Sequence, residues 1–132
     1  MTSQPKRVLC VDDDAQSLEL RRILLEEAGF TVFASPSARE GLSLFLSCVP
    51  DAAILDYNMP DINGGELALM MKAIRPEIPI MILSALPALP SDAPRCIDAF
   101  VSKCEPNSKL MEKIERLVPL CREKLGASPC GS

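Results

Sequence analysis

The chain has 132 residues, 48% hydrophobic and 24% charged, with a formal net charge of −4 and a pI near 4.8. A chain of this size forms one ordinary domain, buries roughly 70% of its unfolded surface and needs no metal or disulfide staple. The acidic balance argues against a nucleic-acid or anionic-membrane face, because phosphate recognition needs clustered Lys and Arg.

No apolar stretch reaches the about 18 residues of a membrane span, and no apolar run precedes the first strand as a signal peptide would require. A single cytoplasmic domain over residues 1–132 is expected, with its core at about 7–122 and a flexible tail at 123–132. The six cysteines show no C-x-x-C pair, and the chain has no His, so neither a zinc site nor a disulfide framework is expected. Cys10 reads as a small buried hydrophobe and Cys130 as an exposed thiol in the tail.

In chain order, Val8-Leu9-Cys10-Val11 is a short β-rich run that ends in Asp12-Asp13-Asp14. Residues 15–28 turn helical, with Leu20, Ile23, Leu24 and Ala28 on the apolar face, Asp14 as N-cap and Gly29 as terminator. Glu19, Arg21, Arg22, Glu26 and Glu27 then read as its solvated side. Thr31–Ala34 is a second strand. Ser37 caps a helix to about Ser47, with Leu42, Phe45 and Leu46 inward.

Ala52–Asp56 is an apolar run that ends on a carboxylate, and a turn starts at once with Asn58 and Pro60. Such runs suit buried strands of a parallel sheet. Gly64 is expected to take a left-handed conformation in the following turn. A helix from Glu66 to about Arg75 carries Leu67, Met70, Met71 and Ile74 inward. Ile80–Leu83 forms a fourth strand and Ala99–Ser102 a fifth. Between them, Pro87, Pro90 and Pro94 leave room for about one helical turn, so the fourth helix is expected to be absent or vestigial. Asn107 or Ser108 opens a last helix with Leu110, Ile114, Leu117 and Val118 inward. Strands alternating with helices predict an α/β fold, a parallel sheet covered on both faces.

Ligands in such sheets sit outside the carboxyl ends of the strands. Asp12, Asp13 and Asp56 would meet at that edge if the first strand is central, and three adjacent carboxylates repel one another. A divalent cation removes the penalty, and an all-oxygen donor set favours Mg²⁺ or Mn²⁺. Lys103, just past the fifth strand, supplies positive charge, and Ser84 at the end of the fourth supplies a hydroxyl. Together they make a site for an acyl phosphate, with Asp56 as nucleophile.

Four stretches carry a resemblance: Val-Leu-Cys-Val-Asp-Asp-Asp at 8–14, Ile-Leu-Asp-Tyr-Asn-Met-Pro-Asp-Ile-Asn-Gly at 54–64, Ile-Leu-Ser-Ala at 82–85 and Phe-Val-Ser-Lys at 100–103. In register over residues 7 to about 118, they resemble the response-regulator receiver domains of two-component signalling, close to the single-domain chemotaxis regulators. The resemblance implies a flavodoxin-like strand order 2-1-3-4-5. It implies that Asp56 accepts phosphate from a phosphohistidine on a histidine kinase or histidine phosphotransfer protein. It further implies that Asp13 and Asp56 ligate Mg²⁺, that Asp12 acts largely through water, and that Asn58 ligates through its backbone carbonyl. Ser84 and Lys103 would contact the phosphoryl group, and Phe100 would fill the aromatic switch position. Without His, the chain cannot be its own donor.

Three departures stand beside it. The Ser84–Lys103 spacing is shorter than usual, Phe100 lacks the hydroxyl of the commoner Tyr, and Cys104 replaces the usual Pro, so no cis peptide is expected there. The expected function is phosphorelay signal transduction through an unidentified protein output partner. Catalysis would be confined to self-phosphorylation and slow autodephosphorylation. The alternative is a phosphorylation-independent interaction module with an altered output face. A phosphatase using an Asp nucleophile would need a second Asp two residues on, where Asn58 stands.

Overall fold

A computed structural model describes residues 5–91 and 93–118. Five strands, β1 (Arg7–Val11), β2 (Thr31–Ser35), β3 (Ala52–Asp56), β4 (Ile80–Ser84) and β5 (Ala99–Ser102), form one parallel sheet in the order β2-β1-β3-β4-β5. Four helices connect or follow them: α1 (Ala15–Glu27), α2 (Ala38–Cys48), α3 (Gly64–Ile74) and α4 (Asn107–Leu117). This is the flavodoxin-like order expected from the resemblance. The expected frayed tail, Cys121 and Cys130 lie outside the described residues. No helix among the described residues is long and apolar enough to cross a membrane.

Strand alternation splits the core into two layers. Val8, Cys10, Ala52, Ile54, Met81, Leu83 and Val101 face Leu18 and Leu25 of α1 and Leu110 and Ile114 of α4. Leu9, Val11, Ala53, Leu55, Ile80 and Ile82 face Phe45 of α2 and Leu67, Ala68 and Met71 of α3. Every residue of β3 and β4 is buried, as central strands covered on both sides require.

Local chemistry sets the helix ends. The Asp14 side chain accepts from Gln16 N–H at 3.3 Å and Ser17 Oγ–H at 2.7 Å, which makes it the α1 cap. Gly29, at φ 104°, ends that helix as expected. Ser37 caps α2 through Glu40 N–H. Asn63 and Glu66 form a reciprocal capping box, so α3 starts two residues earlier than expected. α4 opens at Asn107 as expected, with Pro106 before it at the cap position and no side-chain hydrogen bond there.

Three expectations are corrected. In α1 the buried stripe is Leu18, Arg21 and Leu25, whereas Leu20 is 53% and Ile23 40% exposed. In α3, Met70 and Ile74 point outward, at 43% and 46% exposed, because the stripe runs through Leu67, Ala68 and Met71. Gly64 is not left-handed. It is needed for close approach, since a Cβ there would lie 2.5 Å from the Asp56 carbonyl oxygen.

The β4–β5 connection has no helix among its described residues, in keeping with its three prolines. It holds a turn closed by Ala93 N–H to Pro90 O at 3.0 Å, and Leu89 and Ile97 pack half-buried where a helix would have covered the sheet. No cis peptide occurs among the described residues.

Candidate functional site at the carboxyl edge of the sheet

The β1–β3 register pairs Val11 with Leu55, so the next residues, Asp12 and Asp56, project side by side beyond the sheet. Both are buried, while Asp13 is exposed. Carboxylate oxygens of Asp12, Asp13 and Asp56 all lie within 4.8 Å of one another. The three acidic residues expected to converge do so.

Lys103 reaches them from the far side of the sheet. Its backbone N–H donates to the Ser84 carbonyl at 2.6 Å, which ties the residue to the end of β4. Its Nζ lies 3.0 Å from Asp56 Oδ1 and 3.2 Å from Asp12 Oδ2, bridging two of the carboxylates. Burial pushes the Asp56 carboxyl above the ordinary carboxylate value of 3.8. The Lys103 hydrogen bond pulls it back down, and the Asp12 charge raises it further.

Ser84 is buried at the end of β4, where its Oγ accepts from Leu86 N–H at 3.1 Å. Asn58 is exposed two residues past Asp56. The loop between them is braced by Tyr57 N–H to Leu83 O at 2.7 Å and Gly64 N–H to Tyr57 O at 2.9 Å. Phe100 lies within β5, paired with Ile82 of β4 and three residues before Lys103, half-buried against the α2–α3 layer, with its carbonyl accepting from Lys113 Nζ at 2.8 Å.

The sequence reading missed Arg21. Its guanidinium is buried under α1 and donates to Asp12 Oδ2 at 3.1 Å. An arginine inside the spacing Leu18–Arg21–Leu25 was the available signal, because a helix seldom turns a charge inward without a partner.

The donor set fits a divalent cation. It consists of oxygen only, draws on three converging carboxylates, and already attracts a cationic ammonium in Lys103. Asp12, Asp13 and Asp56 are the residues that would hold the ion. Chemically, the edge offers a desolvated carboxylate on Asp56 flanked by a fixed positive charge, suited to taking up an anionic electrophile.

Comparison with known proteins agrees with this geometry. The response regulator receiver domain family matches residues 8–115. The response regulator MprA of Mycolicibacterium vanbaalenii is 37% identical over 81 residues, which cover 61% of this chain and 35% of that protein. The cell cycle transcriptional regulator CtrA of Caulobacter vibrioides is 32% identical over 78 residues, 59% of this chain and 34% of that protein. The chain thus spans about a third of the length of these relatives.

Among solved structures, response regulator TrrA of Thermotoga maritima in complex with Mg(2+)-BeF is similar at a TM-score of 0.81 and 32% identity, covering 86% of this chain and 99% of that one. A second structure, of histidine kinase ThkA with TrrA, is similar at a TM-score of 0.79. With the strand order, the converging acidic edge and a family match over most of its length, this chain belongs to the response regulator receiver domains of two-component systems.

Proposed function

We propose that Asp56 accepts a phosphoryl group from the phosphohistidine of a kinase or phosphotransfer protein, and that the acyl phosphate changes affinity for a protein output partner. The observation that carries this reading is Lys103 held against both Asp56 and Asp12 at an acidic edge. In the step, a carboxylate oxygen of Asp56 forms a bond to phosphorus as the bond from phosphorus to the donor imidazole nitrogen breaks, leaving the electron pair on that nitrogen. Lys103 offsets charge on the equatorial oxygens, and Ser84 offers its hydroxyl to one of them. Mg²⁺ at Asp12, Asp13, Asp56 and the Asn58 carbonyl would supply Lewis-acid stabilisation of that charge.

The chain is no metabolic enzyme in this reading, since the product stays covalently attached and is lost by slow hydrolysis. A cytoplasmic location follows from the need to meet an ATP-fed kinase. Leu20 and Ile23, exposed on α1 beside the groove that contains Ser17 and Lys103, give that donor an apolar surface to dock on. The TrrA–ThkA complex supports a kinase as the partner class.

One observation favours a second reading, a module that binds its partner whatever its phosphorylation state. The β4–β5 connection lacks a helix among its described residues, and Phe100 has no hydroxyl to relay a signal. Intact mass after incubation with a small acyl phosphate donor and Mg²⁺ separates the two. One phosphate gained by the wild type, absent from Asp56→Asn and prevented by chelator, is the expected result. A folded wild type that gains none would discard the switch and leave the phosphate-independent module.

A further inference from the structure

We propose that Arg21 is a fixed internal cation that loosens divalent-ion binding at the site and offsets the negative charge that phosphorylation adds. The inference rests on the reading above that Asp12, Asp13 and Asp56 hold a divalent ion.

Arg21 occupies the middle of the buried stripe of α1, where its neighbours in the stripe are Leu18 and Leu25. An apolar side chain there would complete the packing of that layer. Instead the position carries a guanidinium that is always charged, with its side chain 9% exposed. A charge so buried persists only with a counter-charge, and Asp12 Oδ2, 3.1 Å away, provides it. Lys103 already contacts that same oxygen at 3.2 Å, and Asp12 Oδ1 accepts from Asp14 N–H at 2.9 Å. Both oxygens of Asp12 are therefore engaged, one of them by two cations. Lys103 alone would have served as the counter-ion, so Arg21 adds a second positive charge to the site.

That charge changes which state of the site is neutral. Three carboxylates against Arg21 and Lys103 leave one net negative charge in the resting site. A divalent ion turns this into one net positive charge. When Asp56 carries a dianionic acyl phosphate as well, the metal-loaded set closes to zero. Without Arg21 the neutral state would be the resting, metal-loaded one, and the phosphorylated site would keep one uncompensated negative charge. Arg21 thus opposes the ion in either state and offsets the negative charge that phosphorylation adds, acting through Asp12 and without touching the reacting atoms.

The test is calorimetric titration of the full chain with Mg²⁺, alone and with beryllofluoride as the phosphoryl mimic. Arg21→Gln keeps an N–H donor for Asp12 but loses the charge; Arg21→Met loses both; Arg21→Lys keeps the charge. Two neutral variants are used so that one misfolding, checked by circular dichroism, does not end the test. Each folded neutral variant should bind Mg²⁺ about tenfold tighter than wild type, the size expected of one partly screened unit charge nearby. Arg21→Lys should stay within about twofold of wild type. At saturating Mg²⁺, beryllofluoride should bind the neutral variants more weakly than wild type, because the mimic adds negative charge that Arg21 offsets.

A merely structural arginine predicts the opposite sign, with Asp12 released and Mg²⁺ bound equally or more weakly. That result overturns the proposal while leaving the metal site intact. Absence of Mg²⁺ binding in wild type and all variants overturns the site reading together with it.

Discussion

At the scale of single residues, Asp56 carries a cost that the fold tolerates. Its carboxyl titrates above 3.8 in the folded chain, chiefly through burial, so the folded state disfavours the charge relative to the unfolded chain. Well above the raised folded value both states are ionised and the cost is fully present. As pH falls through the raised folded value, the native protein takes up the proton first and the cost is relieved. Below 3.8 both states are protonated, and Asp56 no longer separates them. Asp56→Asn should therefore melt a few degrees above wild type at pH 7, and the gap should close as pH approaches 4. Lys103 keeps Asp12 as its partner in that variant. Thermal unfolding in chelator across this range is the check; a variant that melts below wild type at pH 7 would reverse the account.

The positions of Asp12, Asp56, Ser84 and Lys103 were legible in the sequence because each follows an apolar run whose end is easy to find. Arg21 was not legible. Its counter-ion is nine positions away on another element, and Leu20, Ile23 and Leu24 set a helix phase that turns Arg21 outward.

At the scale of elements, that phase error recurs and has one physical cause. Periodicity in an apolar-rich helix allows more than one stripe, and the sheet decides which is buried. In α3 the stretch Leu67-Ala68-Leu69-Met70-Met71 offers nearly every phase, and the sheet takes Leu67, Ala68 and Met71. Leu67→Ala should cost about 2–5 kcal/mol, because its side chain is wholly buried in the layer shared with Phe45 and Met71. Met70→Ala should change stability by about 0.5 kcal/mol or less, as an exposed substitution does. Urea unfolding of the pair decides the phase, and equal losses would return Met70 to the core. The lack of a helix among the described residues between β4 and β5 was legible for a firmer reason. Proline removes a backbone donor and clashes with the preceding turn whatever the tertiary surroundings.

At the scale of the whole molecule, the site exists only when the sheet is assembled. Its carboxylates leave the ends of β1 and β3, and the ammonium that bridges them follows β5 on the opposite side of the sheet. In the unfolded chain, 44 sequence positions separate Asp12 from Asp56, and 47 separate Asp56 from Lys103. No comparable cluster forms there. A divalent ion bound at this edge would therefore bind the native state alone and stabilise the fold by mass action, about 2.7 kcal/mol at a hundredfold excess over its dissociation constant.

For a domain of this size the melting temperature should rise by roughly 10 °C in saturating Mg²⁺ and return with chelator. Because the chain is acidic, ionic screening alone would also raise it, so NaCl at matched ionic strength is the reference. Asp13→Asn removes an exposed carboxylate from the cluster while leaving the buried Asp12–Arg21–Lys103 contacts in place, and should lose most of the Mg²⁺-specific rise. A rise in Mg²⁺ no larger than in NaCl would mean that the three carboxylates converge without holding an ion. Lys103 would then be their working counter-charge rather than the partner of one.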